Sequence, residues 1–280
     1  MKRIYLLILV SLLTLLTAVV CVCGQNDNNL ISRPKYPVSS INAAAGLNNF
    51  HIKDEYLSPY IFGGSVFSSE LSYKINLDRQ RHECDIYFST GNISSEKWAK
   101  ELKLYTGKLS YSYFQSVKNW TNNNSQIELF LGIGVSSFAQ FSVLPTSQDI
   151  TWYGTSDKSW YWSHSTDIHL FSEYRFADGK TVSFQISLPF LRFISRPDYS
   201  HNFSYRNYSV SNSFFHAGDK GKAEYLWENK VINCKIKYQL PLRDYLNLQC
   251  SYSFSYLAND STLPVAMYNN NFAAGLIWDF

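Results

Sequence analysis

Beyond residue 60, hydrophobic and polar residues alternate one by one in long runs. Ile232, Cys234, Ile236, Tyr238 and Leu240 are interleaved with Asn233, Lys235, Lys237 and Gln239. Leu246, Leu248, Cys250, Tyr252, Phe254 and Tyr256 are interleaved with Asn247, Gln249, Ser251, Ser253 and Ser255, and Leu242-Arg243-Asp244 joins the two runs. Val182 to Leu188 repeats the pattern after Ala177-Asp178-Gly179-Lys180, and so does Ile127 to Val135. A period of two places one set of side chains on each face of a β-strand, and no comparable stretch carries the helical period. The short connections read as hairpin turns.

A soluble sandwich alternates too, so the chemistry of the faces must decide. The polar face carries Ser, Asn, Gln, Lys and Glu with small Gly, while the apolar face repeatedly ends in aromatics. The runs are long enough for tilted membrane-crossing strands of about 9–11 residues, and a polar lumen with aromatic girdles fits that pattern. The chain is therefore expected to be all-β, a transmembrane antiparallel barrel with short periplasmic turns and long extracellular loops at 145–166, 196–230 and 258–266. Strands are expected near 40–51, 64–77, 82–91, 103–117, 126–143, 166–176, 180–194, 230–241, 244–257 and 267–280. That makes about ten. A further hairpin around Phe203, Tyr205 and Tyr208 would give twelve, and merging the first two strands would give eight.

The last run, Phe272, Ala274, Leu276, Trp278 and Phe280, ends on an aromatic residue. At this point the chain resembles the Gram-negative outer-membrane β-barrel class. Tyr56-Leu57-Ser58-Pro59, Gly63-Gly64 and Gln25 are similar to uncharacterised Bacteroidetes-type barrels. The resemblance implies that Phe272, Leu276, Trp278 and Phe280 form an assembly signal read by the barrel-assembly machinery, with outer-membrane lipids as surroundings. Residues 1–24 read as a signal peptide, with Lys2 and Arg3 before the apolar run Ile4–Val20. Residues 25–39 are then a periplasmic segment and 40–280 the barrel.

Composition narrows the chemistry. Charged residues make up 17% of the chain, below the usual figure of about 25%. The formal net charge of +3 falls to +1 without Lys2 and Arg3, and no basic cluster exists, so nucleic acid is not an expected partner. Cys84, Cys234 and Cys250 would remain after export, an odd number with no metal-ligand spacing, and no metal or cofactor is expected. Cys234 and Cys250, equidistant from Leu242, are candidates for cross-strand neighbours.

Strand parity turns Glu70, Lys74, Asp85, Lys108, Glu128, Glu173, Arg175, Lys235 and Lys237 toward the lumen. Small barrels fill their interiors with side chains, so these charges are expected to pair and plug the lumen or to line a narrow channel. Glu128 and Glu173 are expected to meet Arg175, Lys235 and Lys237. Asp167 and His169, two apart and expected at the extracellular mouth with His164 and Ser165 above, are candidates for a general base and its orienting carboxylate. An enzyme would place Ser or a second carboxylate within hydrogen-bond reach of His169. Trp152, Tyr153, Trp160, Tyr161 and Trp162 are expected to crowd one extracellular loop, as membrane anchors or as a surface for a glycan or protein ligand. The leading expectation is a structural or binding role, or narrow passive transport. The alternative is an enzyme acting on envelope lipid or peptide.

Overall fold

The computed structural model describes residues 38–55, 57–122, 125–144, 158–196, 222–225, 230–259 and 264–280. The expected signal peptide, Trp152, Tyr153 and the aromatic trio Phe203, Tyr205 and Tyr208 lie outside the described residues. The strands are β1 (Val38–Asp54), β2 (Ile61–Leu77), β3 (Gln80–Ser95), β4 (Trp98–Asn122), β5 (Ser125–Val143) and β6 (Lys158–Phe176). They continue with β7 (Thr181–Ser195), β8 (Lys222–Tyr225), β9 (Lys230–Arg243), β10 (Leu246–Asn259) and β11 (Val265–Asp279). Every neighbouring pair is antiparallel, β1 pairs with β11, and β6 pairs with β7, so the sheet closes on itself. The four-residue β8 lies along Leu191–Ile194 of β7, while β9 takes the same edge at Thr181–Ser187. Ten strand positions therefore surround the lumen.

The short turns 77–80, 176–181 and 243–246 and the paired strand ends Asn122 and Ser125 gather at the end that also holds the strand termini Val38 and Asp279. Gly179 supplies a φ of 82° to one of them, a conformation that costs glycine little. The other end does not carry only long loops: β3 passes into β4 between Ser95 and Trp98.

The strands differ from the sequence reading mainly in length. β1 runs for 17 residues, β4 for 25 and β6 for 19, well beyond the number needed to cross a bilayer. Their extra residues lie at the extracellular end, and there the faces exchange character. On β4, Leu109 and Tyr111 point outward and are half exposed, against Lys108, Ser110 and Ser112 inside. Five residues earlier, Leu102 and Leu104 are fully buried inside, while Glu101 and Lys103 face out. β1 does the same: Ile41 and Leu47 face out over Asn42 and Asn48, then Phe50 and Ile52 turn in against the exposed Asn49. β3 repeats it, from outward Ile86 and Phe88 to inward Ile93. Through these stretches the period of two holds and its phase changes: below, the barrel is apolar outside and polar inside, as lipid demands; above, it is built like a soluble barrel.

Candidate functional site

The lumen holds three tiers. The periplasmic tier is ionic and aromatic. Lys237 donates to Glu83 Oε1 at 2.7 Å, and Lys235 pairs with Glu70, so β9 is tied across the lumen to β3 and β2. Arg81 Nη2 donates to Glu173 Oε2 at 2.8 Å, and its Nε donates to Asn76 Oδ1 at 2.8 Å. The Arg81 guanidinium also lies 4.8 Å and 4.5 Å from the ring centres of Phe130 and Phe171, which pack with Phe114. A cation held this way spends its charge on a carboxylate and on π-faces together.

The extracellular tier is an apolar core inside the barrel. Phe50, Ile52, Phe62, Val66, Ile93, Leu102, Leu104, Tyr161, Ile194, Val265 and Met267 form one buried cluster, each contributed by an inward strand position. Its outer rim is polar again: Arg196 Nη2 donates to Asp54 Oδ1 at 2.6 Å and Ser159 Oγ to Asp54 Oδ2 at 2.7 Å.

Between the tiers lies a chamber of about 180 Å³. Its lining includes Ser110, Ser112, Ser136, Ser163, Ser165, Ser187, Ser253 and Ser255, the charged groups Glu70, Asp85, Lys108, Asp167, Arg192 and Lys235, and His169. Phe50, Phe138, Leu257 and Met267 bound it on the extracellular side. Asp167 accepts from Ser136 Oγ at 2.8 Å and from Ser165 Oγ at 2.7 Å. The His169 ring bridges two hydroxyls, Nε2 to Ser112 Oγ at 3.2 Å and Nδ1 to Ser187 Oγ at 2.7 Å. Gly134 makes room for that ring, since a Cβ there would sit 2.5 Å from Nε2.

Several sequence expectations change here. Asp167 and His169 are not at the mouth; β6 begins at Lys158, so both lie midway down the lumen and are buried. Ser165 joins them inside, but His164 faces outward and meets Ser137 Oγ at 2.8 Å. Trp160, Tyr161 and Trp162 are strand residues rather than loop residues, and Tyr161 points into the apolar tier. The lumen is not polar throughout, because the phase change fills its upper part with hydrocarbon. Arg175 sits half exposed at the periplasmic rim, reaching Glu173 at 2.9 Å. Glu128 accepts from Ser116 Oγ at 2.6 Å. Lys235 and Lys237 meet Glu70 and Glu83, not Glu128 or Glu173. Lys74 lies on the inward face of β2. Cys250 stands opposite Tyr238 and Cys234 opposite Phe254, so the two thiols are not cross-strand neighbours and both are free. Arg81, Glu83, Arg192 and Glu224 were missed by sequence reasoning. Parity from Asp85 reaches Glu83 within the strand expected at 82–91, and Arg81 once that strand starts at Gln80.

Phe272, Leu276 and Trp278 occupy the outward row of β11, and Phe280, exposed, follows directly after the strand. Phe280 exchanges backbone hydrogen bonds with Ser39 at 2.8 Å and 3.0 Å, the last rung of the β1–β11 seam.

No family model and no curated protein matches the sequence. Solved structures do resemble the fold. The outer membrane protease OmpT from Escherichia coli matches with a TM-score of 0.52 at 9% identity, over 90% of this chain and 99% of that one. The translocator domain of autotransporter NalP from Neisseria meningitidis matches at 0.38 and 10% identity, over 94% and 93%. Neisserial surface protein A matches at 0.35 and 11% identity, over 86% and 97%. At such identities the likeness is one of fold. With the closed sheet and its apolar outer belt, it makes this chain an outer-membrane β-barrel protein.

Proposed function

We propose that the protein is a closed barrel that holds a small polar solute in its lumenal chamber, and that it is not an open pore. The supporting observation is the chamber's position, a serine-walled space between an ion-paired tier and an apolar tier. Its size, below the roughly 300–1,000 Å³ of drug-sized pockets, suits one small molecule. In a planar bilayer the refolded barrel is expected to give no steady conductance. A large, stable conductance step would refute the closed-barrel reading. Deleting Phe280, which closes the β1–β11 seam, is expected to lower outer-membrane levels while export continues; unchanged levels would remove Phe280 from any assembly role.

A second reading, an enzyme acting on envelope lipid or peptide, draws on one contact, the Ser112 hydroxyl at His169 Nε2. The usual orienting carboxylate is engaged elsewhere: Asp167 serves Ser136 and Ser165, and Nδ1 faces Ser187. Labelling of Ser112 by a fluorophosphonate would favour the enzyme.

A further inference from the structure

One row of cross-strand partners runs around the chamber wall. Asp85 is paired with Ser110, Ser110 with Ser136, Ser136 with Ser165, Ser165 with Arg192, and Arg192 with Glu224. All of these side chains face inward. The row begins with a carboxylate, continues through three serines to a guanidinium, and ends on the Glu224 carboxylate behind it.

Both charged members that line the chamber have unmet hydrogen-bonding capacity. Arg192 is 2% exposed, and only its Nη2 has an acceptor, Glu224 Oε2 at a long 3.4 Å. Its Nε and Nη1 are buried with no partner, so three of the five guanidinium N–H donors have no acceptor. Asp85 Oδ1 is likewise buried without a donor. Glu224 cannot take up the slack, because its other oxygen accepts from Asn259 at 2.7 Å. Lys108, one inward row above Asp85 on the neighbouring strand, also lines the chamber and forms no ion pair among the described residues. A buried donor left unmade costs most when it is charged. The open guanidinium donors of Arg192 mark one end of the wall, Lys108 and the unmet Asp85 acceptor mark the other, and hydroxyls lie between.

We propose that the chamber is a binding site for a small hydroxylated acid of monosaccharide size, whose anionic group is held by Arg192. The carboxylate supplies acceptors to Nε and Nη1. Lys108 adds a second positive charge, and the ligand's hydroxyls meet the serine wall and donate toward Asp85. Glu70 is paired with Lys235, and Asp167, which keeps its charge, accepts one serine hydroxyl on each oxygen, so Arg192 and Lys108 are the cations left for the anion. Without such a ligand, water is the alternative occupant of a polar cavity.

This proposal rests on the solute-binding reading, and the test separates the two. Calorimetry on the refolded full-length barrel in detergent would use D-glucuronate, D-glucose and inorganic phosphate as probes. Glucuronate is expected to bind, and glucose to bind at least tenfold more weakly. R192Q is expected to weaken glucuronate roughly 10- to 100-fold, the range for charged hydrogen bonds, with little effect on glucose. R192K and K108Q serve if R192Q fails to fold, as judged by the gel-mobility shift on boiling. Each should weaken glucuronate while keeping the barrel closed. Equal binding of glucose and glucuronate, insensitive to Arg192, would overturn the anion site but leave solute binding standing. Phosphate binding alone would overturn the hydroxylated class. Binding of none of the three would overturn the site proposed here, and a conducting barrel would overturn the reading beneath it.

Discussion

The two ends of the lumen solve one problem, filling a ten-strand barrel, by opposite means. The periplasmic tier uses Arg81–Glu173, Lys237–Glu83 and Lys235–Glu70, with Phe130 and Phe171 against the arginine and Phe114 packed on them. The extracellular tier uses hydrocarbon from nearly every strand. The difference follows from what lies outside the wall. Where the outer face must be apolar for lipid, the alternation leaves the inner face polar, and buried charges then need partners. Where the strands rise above the lipid, the outer face can be polar, so apolar side chains can pack inside as in a soluble protein. The chamber forms at the changeover, where neither kind of filling is complete.

The largest expected effect lies in the ionic tier. Glu173→Ala leaves Arg81 and Arg175 without their shared carboxylate and is expected to cost about 3–5 kcal/mol, read from urea unfolding in detergent. Replacing Arg81 and Glu173 together by methionine is expected to restore most of that loss, since well-packed apolar pairs rival buried ion pairs. If the double variant stays as unstable as the single one, the aromatic cradle around Arg81 contributes more than the charge pair. In the apolar tier, Leu104→Ala is expected to cost about 2–5 kcal/mol through lost burial and a cavity. Without that loss, the upper tier would not be a packed core.

Much of this architecture was legible from residue alternation. Ten strand positions, antiparallel closure and the inward parity of Glu70, Asp85, Lys108, Glu173, Lys235 and Lys237 all follow from a period of two. The phase change was equally present in Glu101-Leu102-Lys103-Leu104 and in Phe50-His51-Ile52-Lys53. A strand ended where its first phase fails leaves that change out. A β6 that starts at 166 rather than 158 places Asp167 and His169 at the mouth and Tyr161 in a loop. Pairing across the lumen was not readable at all. Which lysine meets which glutamate depends on barrel shear, and alternation carries no information about shear. The unmet donors of Arg192 are a property of packing, invisible in any one strand.

The finest test of the comparison stays on one strand. Leu109 and Lys103 both face outward on β4, on either side of the phase change. Leu109→Lys puts a charge against lipid and is expected to cost about 2–4 kcal/mol if the position lies near the bilayer midplane. Lys103→Leu removes an exposed charge 5.4 Å from the Tyr105 ring, and above the lipid this should change stability by less than about 1 kcal/mol. The same unfolding measurement reads both. If the two substitutions cost the same, the outer face of β4 sees one environment along its length, and the change of phase would mark only a change in lumen filling. If Lys103→Leu is neutral while Leu109→Lys is costly, the border of the hydrocarbon falls between them, level with the apolar tier inside.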